Sequence, residues 1–151
     1  MRELDLEEVV AGSVGYRDLL ALRFAELRKP LGMSWTPDEL AADRGDRHFG
    51  LREGGGPWLA VAVMHDLGNG VAKLRQIAVT DARKGQGLGR ILMERIEQKL
   101  EREGVAELVL NARLTVAGFY DALGYVREGD LFEEIGLPHV RMRKRLRRGS
   151  A

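Results

Sequence analysis

Residues 81–90 read Asp81-Ala82-Arg83-Lys84-Gly85-Gln86-Gly87-Leu88-Gly89-Arg90. The apolar residues that follow recur at helical spacing, at Leu88, Ile91, Leu92, Ile96 and Leu100, which predicts an amphipathic helix. Glycine at every second position allows the backbone to approach a ligand closely. Free N–H groups at the start of a helix, at the positive end of its dipole, favour an anion, and three neighbouring basic side chains reinforce that preference. We therefore expect a phosphate-bearing ligand at this turn.

The spacing of these residues excludes two common phosphate-binding motifs. A P-loop requires Gly-Lys followed by Ser or Thr, and this segment contains no such triplet. A dinucleotide-binding turn requires a glycine three places after Gly87, where this sequence has Arg90. The phosphate ligand must therefore be of another kind.

The pattern along the rest of the chain predicts two helices, three strands, a helix, a strand, a helix and a closing hairpin. The predicted helices lie at 16–29, within 33–46, from 88 to about 100 and at 115–123, and the strands at 48–52, 58–64, 71–79, 105–110, 125–128 and 140–146. The strands at 71–79 and 105–110 flank a helix, so they should be parallel with a right-handed crossover. This order predicts a mixed sheet with helices on both faces and a ligand at the carboxyl ends of the parallel strands.

Length and composition favour one domain and exclude several kinds of chemistry. The chain has 151 residues, of which 44% are hydrophobic. We predict one domain over 1–146 and a basic tail at 147–151. The acidic amino terminus and the lack of a long apolar run predict a cytoplasmic protein with no membrane partner. Cysteine is absent, and the three histidines lack metal-ligand spacing, so no metal is expected.

Six basic residues near the carboxyl terminus raise the question of a nucleic-acid partner. They are Arg141, Arg143, Lys144, Arg145, Arg147 and Arg148. They alternate with Val140, Met142 and Leu146, as in a last strand with one buried face. The whole chain is net +1, so the remainder without these six charges is net −5. We therefore predict no nucleic-acid partner.

Two segments together resemble the GNAT family of N-acetyltransferases. The family pattern of Arg or Gln, two residues, Gly, one residue, then Gly or Ala corresponds to Lys84-x-x-Gly87-x-Gly89, with lysine at the first position. The segment Phe119-Tyr120-Asp121-Ala122-Leu123-Gly124-Tyr125 resembles the family's aromatic-Tyr-x-x-x-Gly-aromatic motif, and 105–111 resembles its fifth strand. The resemblance covers essentially the whole chain. It implies a small bacterial single-domain member with the acyl-CoA N-acyltransferase fold, an α/β fold whose mostly antiparallel mixed sheet has splayed strands 4 and 5.

The resemblance also implies an activity and a set of site residues. The implied reaction transfers the acetyl group of acetyl-CoA to a primary amine, by direct attack through a tetrahedral intermediate. The family's proton donor to the leaving thiolate corresponds to Tyr120. Backbone N–H groups of the fourth strand stabilise the oxyanion and pair with the pantetheine arm. The implied acetyl-CoA-binding residues are Ile77, Ala78, Val79, Lys84, Gly85, Gln86, Gly87, Leu88, Gly89, Arg90, Asn111, Phe119 and Tyr120.

Several alternatives stay open at the level of sequence. Glu133, Glu134 and His139, in a predicted loop at 132–139, are candidates for the base that deprotonates the acceptor, although His139 fits a structural role equally well and a water relay needs no base. Taken singly, the glycine turn, Asn111 and Tyr120 are each explained as well by a purely structural role. A non-catalytic coenzyme A-binding sensor is the alternative function. The acceptor, a small molecule or a peptide, is undetermined, and a homodimer through the last strands, common in the family, is left open.

Overall fold

The computed structural model describes residues 3–146, so the predicted basic tail at 147–151 lies outside the described residues. Its strands are β1 (Leu4–Val9), β2 (Arg47–Glu53), β3 (Ala60–Gly68), β4 (Val71–Val79), β5 (Glu107–Arg113), β6 (Val126–Glu134) and β7 (Leu137–Arg145). Its α-helices are α1 (Val14–Arg23), α2 (Pro37–Asp43), α3 (Leu88–Arg102) and α4 (Ala117–Ala122). No helix of the described residues is long and apolar enough to cross a membrane.

The seven strands form one mixed sheet in the order β1-β2-β3-β4-β5-β7-β6. Every neighbouring pair is antiparallel except β4 and β5, which are parallel as the crossover through α3 requires. The β4–β5 pairing ends at Leu74 and Leu110, although β4 continues to Val79 and β5 to Arg113. The predicted fold class is confirmed, and the two central strands separate beyond that last pair.

Helices cover the two faces of the sheet because alternate strand residues point to opposite sides. Ala60, Ala62 and Met64 of β3 pack in the larger core with the apolar face of α3. Val61 packs on the other side with Leu19 of α1. α1 continues through a π-helical turn (Phe24–Arg28) and a 3-10 turn (Lys29–Leu31) to Gly32, whose φ of 68° ends the helix. The chain then begins α2 with the capping box of Thr36 and Glu39, and this helix lies within the predicted range 33–46.

The predicted order of elements was wrong at the amino terminus. β1 is an additional strand at the sheet edge, paired with β2 from Leu4 opposite Glu53 to Val9 opposite His48. Its acidic residues form cross-strand ion pairs, Glu7 with Arg52 and Glu8 with Arg47. Charged side chains are typical of edge strands because they discourage pairing with another chain. The acidity of this segment therefore reflects its place in the sheet.

The predicted loop at 132–139 was also wrong, because β6 runs to Glu134 and β7 begins at Leu137. Only Ile135 and Gly136 form the turn, with φ of 47° and 76°. Positive φ at both central residues is the type I′ geometry, whose twist matches that of the flanking strands. Pro138 is tolerated in β7 because pairing with β5 begins only at His139. The three candidate bases consequently lie on strands or at a tight turn.

A buried cluster of charged and polar side chains fastens α2 to α1 and β2. Asp43 at the end of α2 is 3% exposed and accepts two hydrogen bonds from Arg23, at 2.8 and 3.0 Å. It also accepts a hydrogen bond from the Tyr16 hydroxyl. His48 Nε2 lies 2.8 Å from the Asp43 carbonyl oxygen, which places the proton on Nε2. His48 Nδ1 is buried and has no partner among residues 3–146.

His48 makes the free energy of unfolding depend on pH. Burial lowers its pKa below the ordinary 6.5, although Asp43 opposes this shift. The unfolded chain therefore takes up a proton near pH 6.5 that the folded chain refuses until a lower pH. We expect stability to fall as pH drops below about 6.5, by at most about 1.4 kcal/mol per unit from this one group. Urea unfolding of the wild type and of His48→Gln between pH 7 and about 5 should show a shallower slope for the variant. Equal slopes would assign the effect to other groups.

Candidate active site

The separation of β4 from β5 opens a cavity of about 400 Å³, here called the splay cavity. Its walls include Gln76 and Ile77 of β4, Asn111 and Arg113 of β5, and His139 of β7. Because the two strands no longer pair beyond Leu74 and Leu110, the backbone of β4 that faces β5 is free of sheet hydrogen bonds from that side. The cavity thus combines an open strand edge with polar side chains.

A second cavity of about 580 Å³, the glycine-turn cavity, lies between β4 and the start of α3. It is lined by all of the predicted coenzyme-binding residues except Gln86 and Asn111. Asn111 lines the splay cavity instead, and the Gln86 side chain accepts a hydrogen bond from Arg83 Nε at 2.6 Å. The two cavities share Leu27, Ile77, Val116 and Tyr120. Tyr120 therefore stands on the wall between them.

The glycine turn presents a row of backbone N–H groups with no acceptor. Gly85 and Gly87 have φ of 81° and 76°, a conformation that L side chains rarely adopt, and Gly87 immediately precedes the first residue of α3. Between Gly85 and Arg90 no backbone N–H donates a hydrogen bond within the described part of the chain. The first turn of any helix has such donors, and here the preceding turn adds more of them. This arrangement fits an anion with several oxygens, such as a diphosphate.

The basic side chains of the turn are occupied by acidic partners. Lys84 Nζ lies 2.9 Å from Glu26 Oε1, and this hydrogen bond raises the pKa of Lys84. Arg83 pairs with Glu53 at 3.1 Å and Arg90 with Glu94 at 2.7 Å. The expected reinforcement by three bases is therefore largely neutralised, and the backbone N–H groups are the main attraction for an anion. Lys84 instead holds the glycine turn against the π-helical turn that follows α1.

The aromatic segment places its side chains against the glycine turn. A Cβ atom at Gly89 would lie 3.2 Å from Phe119 Cζ, so glycine allows this close contact between α3 and α4. The Phe119 and Tyr120 rings lie 5.0 Å apart, and those of Tyr120 and Tyr125 lie 5.8 Å apart, both edge to face. Two neighbouring aromatic rings thus fix the orientation of Tyr120.

The Tyr120 hydroxyl is the one phenol of the site with no internal partner. The side chain is 7% exposed, and burial raises the pKa of Tyr120 above its ordinary value. No residue between 3 and 146 forms a hydrogen bond with this hydroxyl, whereas the Tyr125 hydroxyl donates to Glu97 at 2.7 Å. Tyr120 is therefore protonated at neutral pH and free to donate to a bound molecule.

The three candidate bases are treated differently by the fold. His139 is 4% exposed, its Nδ1 lies 2.8 Å from the Leu137 carbonyl oxygen, and its Nε2 faces Glu134 Oε2 at 3.4 Å. Both side chains line the splay cavity. Glu133 does not line it, because neighbouring residues of a strand point to opposite faces. The His139–Glu134 pair is what the structure brings to the site.

Several polar residues of the site were missed by the sequence analysis. Gln76 has φ of 53° at a bulge in β4, and its buried Oε1 has no partner among residues 3–146. Glu39 of α2 lines the splay cavity and pairs with Arg28 at 2.5 Å. Trp35 lies beneath Arg28, whose guanidinium carbon is 4.3 Å from the ring centre. A Gln in the middle of a predicted buried strand was the available signal, while Glu39 carried no signal beyond its cap.

Candidate metal ligands do not cluster within the described residues. Between residues 3 and 146 no group of three or more His, Asp or Glu side chains lies close enough to hold a metal ion.

The sequence is similar to a known protein family and to several bacterial proteins. A family model described as the Acetyltransferase (GNAT) domain matches residues 40–146. YyaT of Bacillus subtilis is 35% identical over 77 residues, 51% of this chain and 52% of that protein. The ribosomal protein bS18-alanine N-acetyltransferase of Escherichia coli is 31% identical over 94 residues, 60% of this chain and 64% of that enzyme. The chain spans about half the length of the Bacillus subtilis relatives that it matches.

Solved structures are similar over nearly the whole chain. The crystal structure of an acyl-CoA N-acyltransferase from Pseudomonas aeruginosa has a TM-score of 0.80 with 24% identity, and covers 94% of this chain and 99% of that one. At this level of identity the similarity shows the fold alone. The similarity in fold and the match of the sequence to the family model are therefore two separate observations that agree.

Proposed function

The chain belongs to the GNAT family of acetyltransferases, and from this premise we propose that it transfers the acetyl group of acetyl-CoA to a primary amine. One observation carries the proposal. The unsatisfied N–H groups of residues 85–90, the open edge of β4 and the free hydroxyl of Tyr120 all border the glycine-turn cavity. Those are the groups needed to hold a diphosphate, an extended amide arm and a departing thiolate.

We propose that the N–H groups of residues 85–90 bind the diphosphate of the cosubstrate and that the free edge of β4 at 77–79 pairs with its pantetheine amides. When bound, acetyl-CoA supplies an activated acetyl thioester. The strand edge is available because β5 has separated from β4 beyond Leu74. Backbone N–H groups there also suit the charge that develops on the carbonyl oxygen during transfer.

In the proposed reaction the acceptor nitrogen forms a bond to the acetyl carbon and the carbon–sulfur bond breaks. Tyr120 donates its phenolic proton to the departing thiolate, and its ring contacts fix the hydroxyl at the boundary of the two cavities. A phenol can donate to an alkyl thiolate because the ordinary pKa values of a phenol and a thiol, about 10 and about 8.5, are comparable. Burial raises the pKa of Tyr120, which keeps the hydroxyl protonated until the carbon–sulfur bond breaks. The phenolate regains its proton as the acylated nitrogen loses one.

We propose that the His139–Glu134 pair receives the proton that the acceptor ammonium must lose before attack. With Nδ1 donating to the Leu137 carbonyl, Nε2 is an acceptor that faces the Glu134 carboxylate. Both groups border the splay cavity, on the acceptor side of Tyr120. The Glu134 side chain is about half exposed, so this end of the splay cavity is open to solvent.

Two measurements test the proposed function directly. Calorimetry of the folded protein with coenzyme A and with acetyl-CoA should show binding below millimolar ligand, and thiol release should require an added amine. No association at millimolar ligand would contradict the assignment. Binding without thiol release for any amine would favour the non-catalytic sensor, which the free hydroxyl of Tyr120 argues against.

Gly87→Ala tests the diphosphate site. The substitution forces a Cβ into a φ of 76°, so the turn must shift and carry its N–H groups with it. We expect the Kd for coenzyme A to rise about tenfold or more and the stability to fall by about 1 kcal/mol.

Gly68→Ala is the matched control for this substitution. Gly68 has φ of 82° and open space around it, and it is the last residue of β3, paired with Val71 at the other end of β4. It should lose a similar stability with no change in coenzyme affinity. An unchanged Kd in Gly87→Ala would show that the N–H groups of the turn do not bind the ligand.

A further inference from the structure

The cations that line the splay cavity are not all neutralised. The cavity wall carries four cationic side chains, Arg28, Lys73, Arg75 and Arg113, against the carboxylates of Glu39 and Glu134. Arg28 is paired with Glu39, and Arg75 is paired with Asp46 and Asp43 behind the wall. Lys73 and Arg113 have no carboxylate within 4.0 Å among residues 3–146.

Unpaired cations in partly buried positions are rare in the described part of the chain. Only Lys73, Arg95 and Arg113 are partly buried without an ion pair between residues 3 and 146. Arg95 donates a hydrogen bond to the Leu4 carbonyl at 2.9 Å. The Arg113 guanidinium has only a long contact of 3.4 Å to the Leu27 carbonyl, and the Lys73 ammonium has no hydrogen bond to any described residue. The two least satisfied of these cations therefore share one cavity.

A cation removed from water without a partner lowers stability unless a ligand supplies the opposite charge. Lys73 on β4 and Arg113 on β5 lie on the same face of the sheet, with Asn111 also on the cavity wall. Arg113 offers a planar fork of donors that matches an oxyanion, and Lys73 adds a second charge. The orphaned Gln76 Oε1 is an acceptor on the same wall, suited to an N–H of the substrate.

We propose that the acceptor is an amine that also carries an oxyanion, a carboxylate or a phosphate monoester, which Lys73 and Arg113 bind in the splay cavity. The inference rests on the proposed acetyl transfer and narrows its acceptor. It disfavours polyamines and aminoglycosides, whose additional positive charges would meet those of Lys73 and Arg113. Both cations then act as specificity-determining residues on the acceptor side of Tyr120.

Acceptors that share a primary amine but differ in the charge of their second group separate the effect of that charge from the reactivity of the amine. Thiol release from acetyl-CoA is followed with γ-aminobutyrate, phosphoethanolamine, n-butylamine and putrescine. We expect kcat/KM for the better of the two anionic acceptors to exceed that for n-butylamine by about tenfold or more, with putrescine below both. The better of the two anionic acceptors shows whether Lys73 and Arg113 bind a carboxylate or a phosphate monoester. Raising the salt concentration should reduce this preference through KM.

The variants Lys73→Gln and Arg113→Gln should each raise KM for the anionic acceptor about tenfold, with kcat and the n-butylamine reaction little changed. Arg102→Gln is the control, because Arg102 is exposed at the end of α3 and lines neither cavity. Equal use of n-butylamine and the anionic acceptors would overturn the inference and leave the proposed transfer intact. Coenzyme binding without turnover of any acceptor would instead contradict the transfer itself.

Discussion

Replacing Tyr120 by phenylalanine should lower kcat by about 10²- to 10³-fold while the Kd for acetyl-CoA changes by less than about twofold. The ring is retained, so its contacts with Phe119 and Tyr125 survive, and the change removes only the hydroxyl on the wall shared by the two cavities. A group that acts as an acid only during bond cleavage contributes to kcat and little to ground-state binding. Steady-state kinetics and calorimetry on the same preparation give both quantities.

Tyr125→Phe is the control for this substitution. It also removes a buried phenolic hydroxyl, but one whose hydrogen bond to Glu97 ties α3 to the segment before β6. We expect it to lose about 1 to 3 kcal/mol of stability and to keep kcat within a fewfold of the wild-type value.

Because burial raises the pKa of Tyr120, the kcat of the wild type should show no loss from ionisation of Tyr120 up to about pH 10. A Tyr120→Phe enzyme with wild-type kcat would assign proton donation to another group or to water.

The parts of the fold that were predictable are those whose signal is local. The apolar period of α3 and the parallel pair around it need only neighbouring segments, and both were confirmed. β1 was missed because its pairing with β2 depends on ion pairs between residues 39 and 45 positions apart. The turn at Ile135 and Gly136 was read as part of a longer loop because Gly and Pro near each other are ordinary loop signals.

The candidate site divides in the same way. The proposed coenzyme side follows one glycine turn and the strand before it, so the residues that the resemblance implied include eleven of the fifteen that line that cavity. The proposed acceptor side is assembled from α2, the β4 bulge, β5 and the β6–β7 hairpin, and no sequence spacing links these segments. Arg28, Glu39, Lys73, Arg113 and Gln76 were consequently found only in three dimensions. Their assembly in turn depends on how α2 is fastened to the rest of the molecule.

Asp43→Ala should lower the free energy of unfolding by about 3 to 5 kcal/mol, because it leaves the buried Arg23 guanidinium and the Tyr16 hydroxyl without their acceptor. Burial alone would raise the pKa of Asp43, yet the hydrogen bonds from Arg23 and Tyr16 hold it below its ordinary value, so the carboxylate is charged in the folded protein. Asp38→Ala, an exposed change in the first turn of the same helix, should cost only about 0.5 kcal/mol. Thermal unfolding should place the two variants about 10 °C apart.

Since α2 carries Glu39 into the splay cavity, the fraction of the Asp43→Ala variant that stays folded should show a raised KM for the acceptor with an unchanged Kd for coenzyme A. A stability loss no greater than that of Asp38→Ala would show that this buried ion pair does not hold α2 in place.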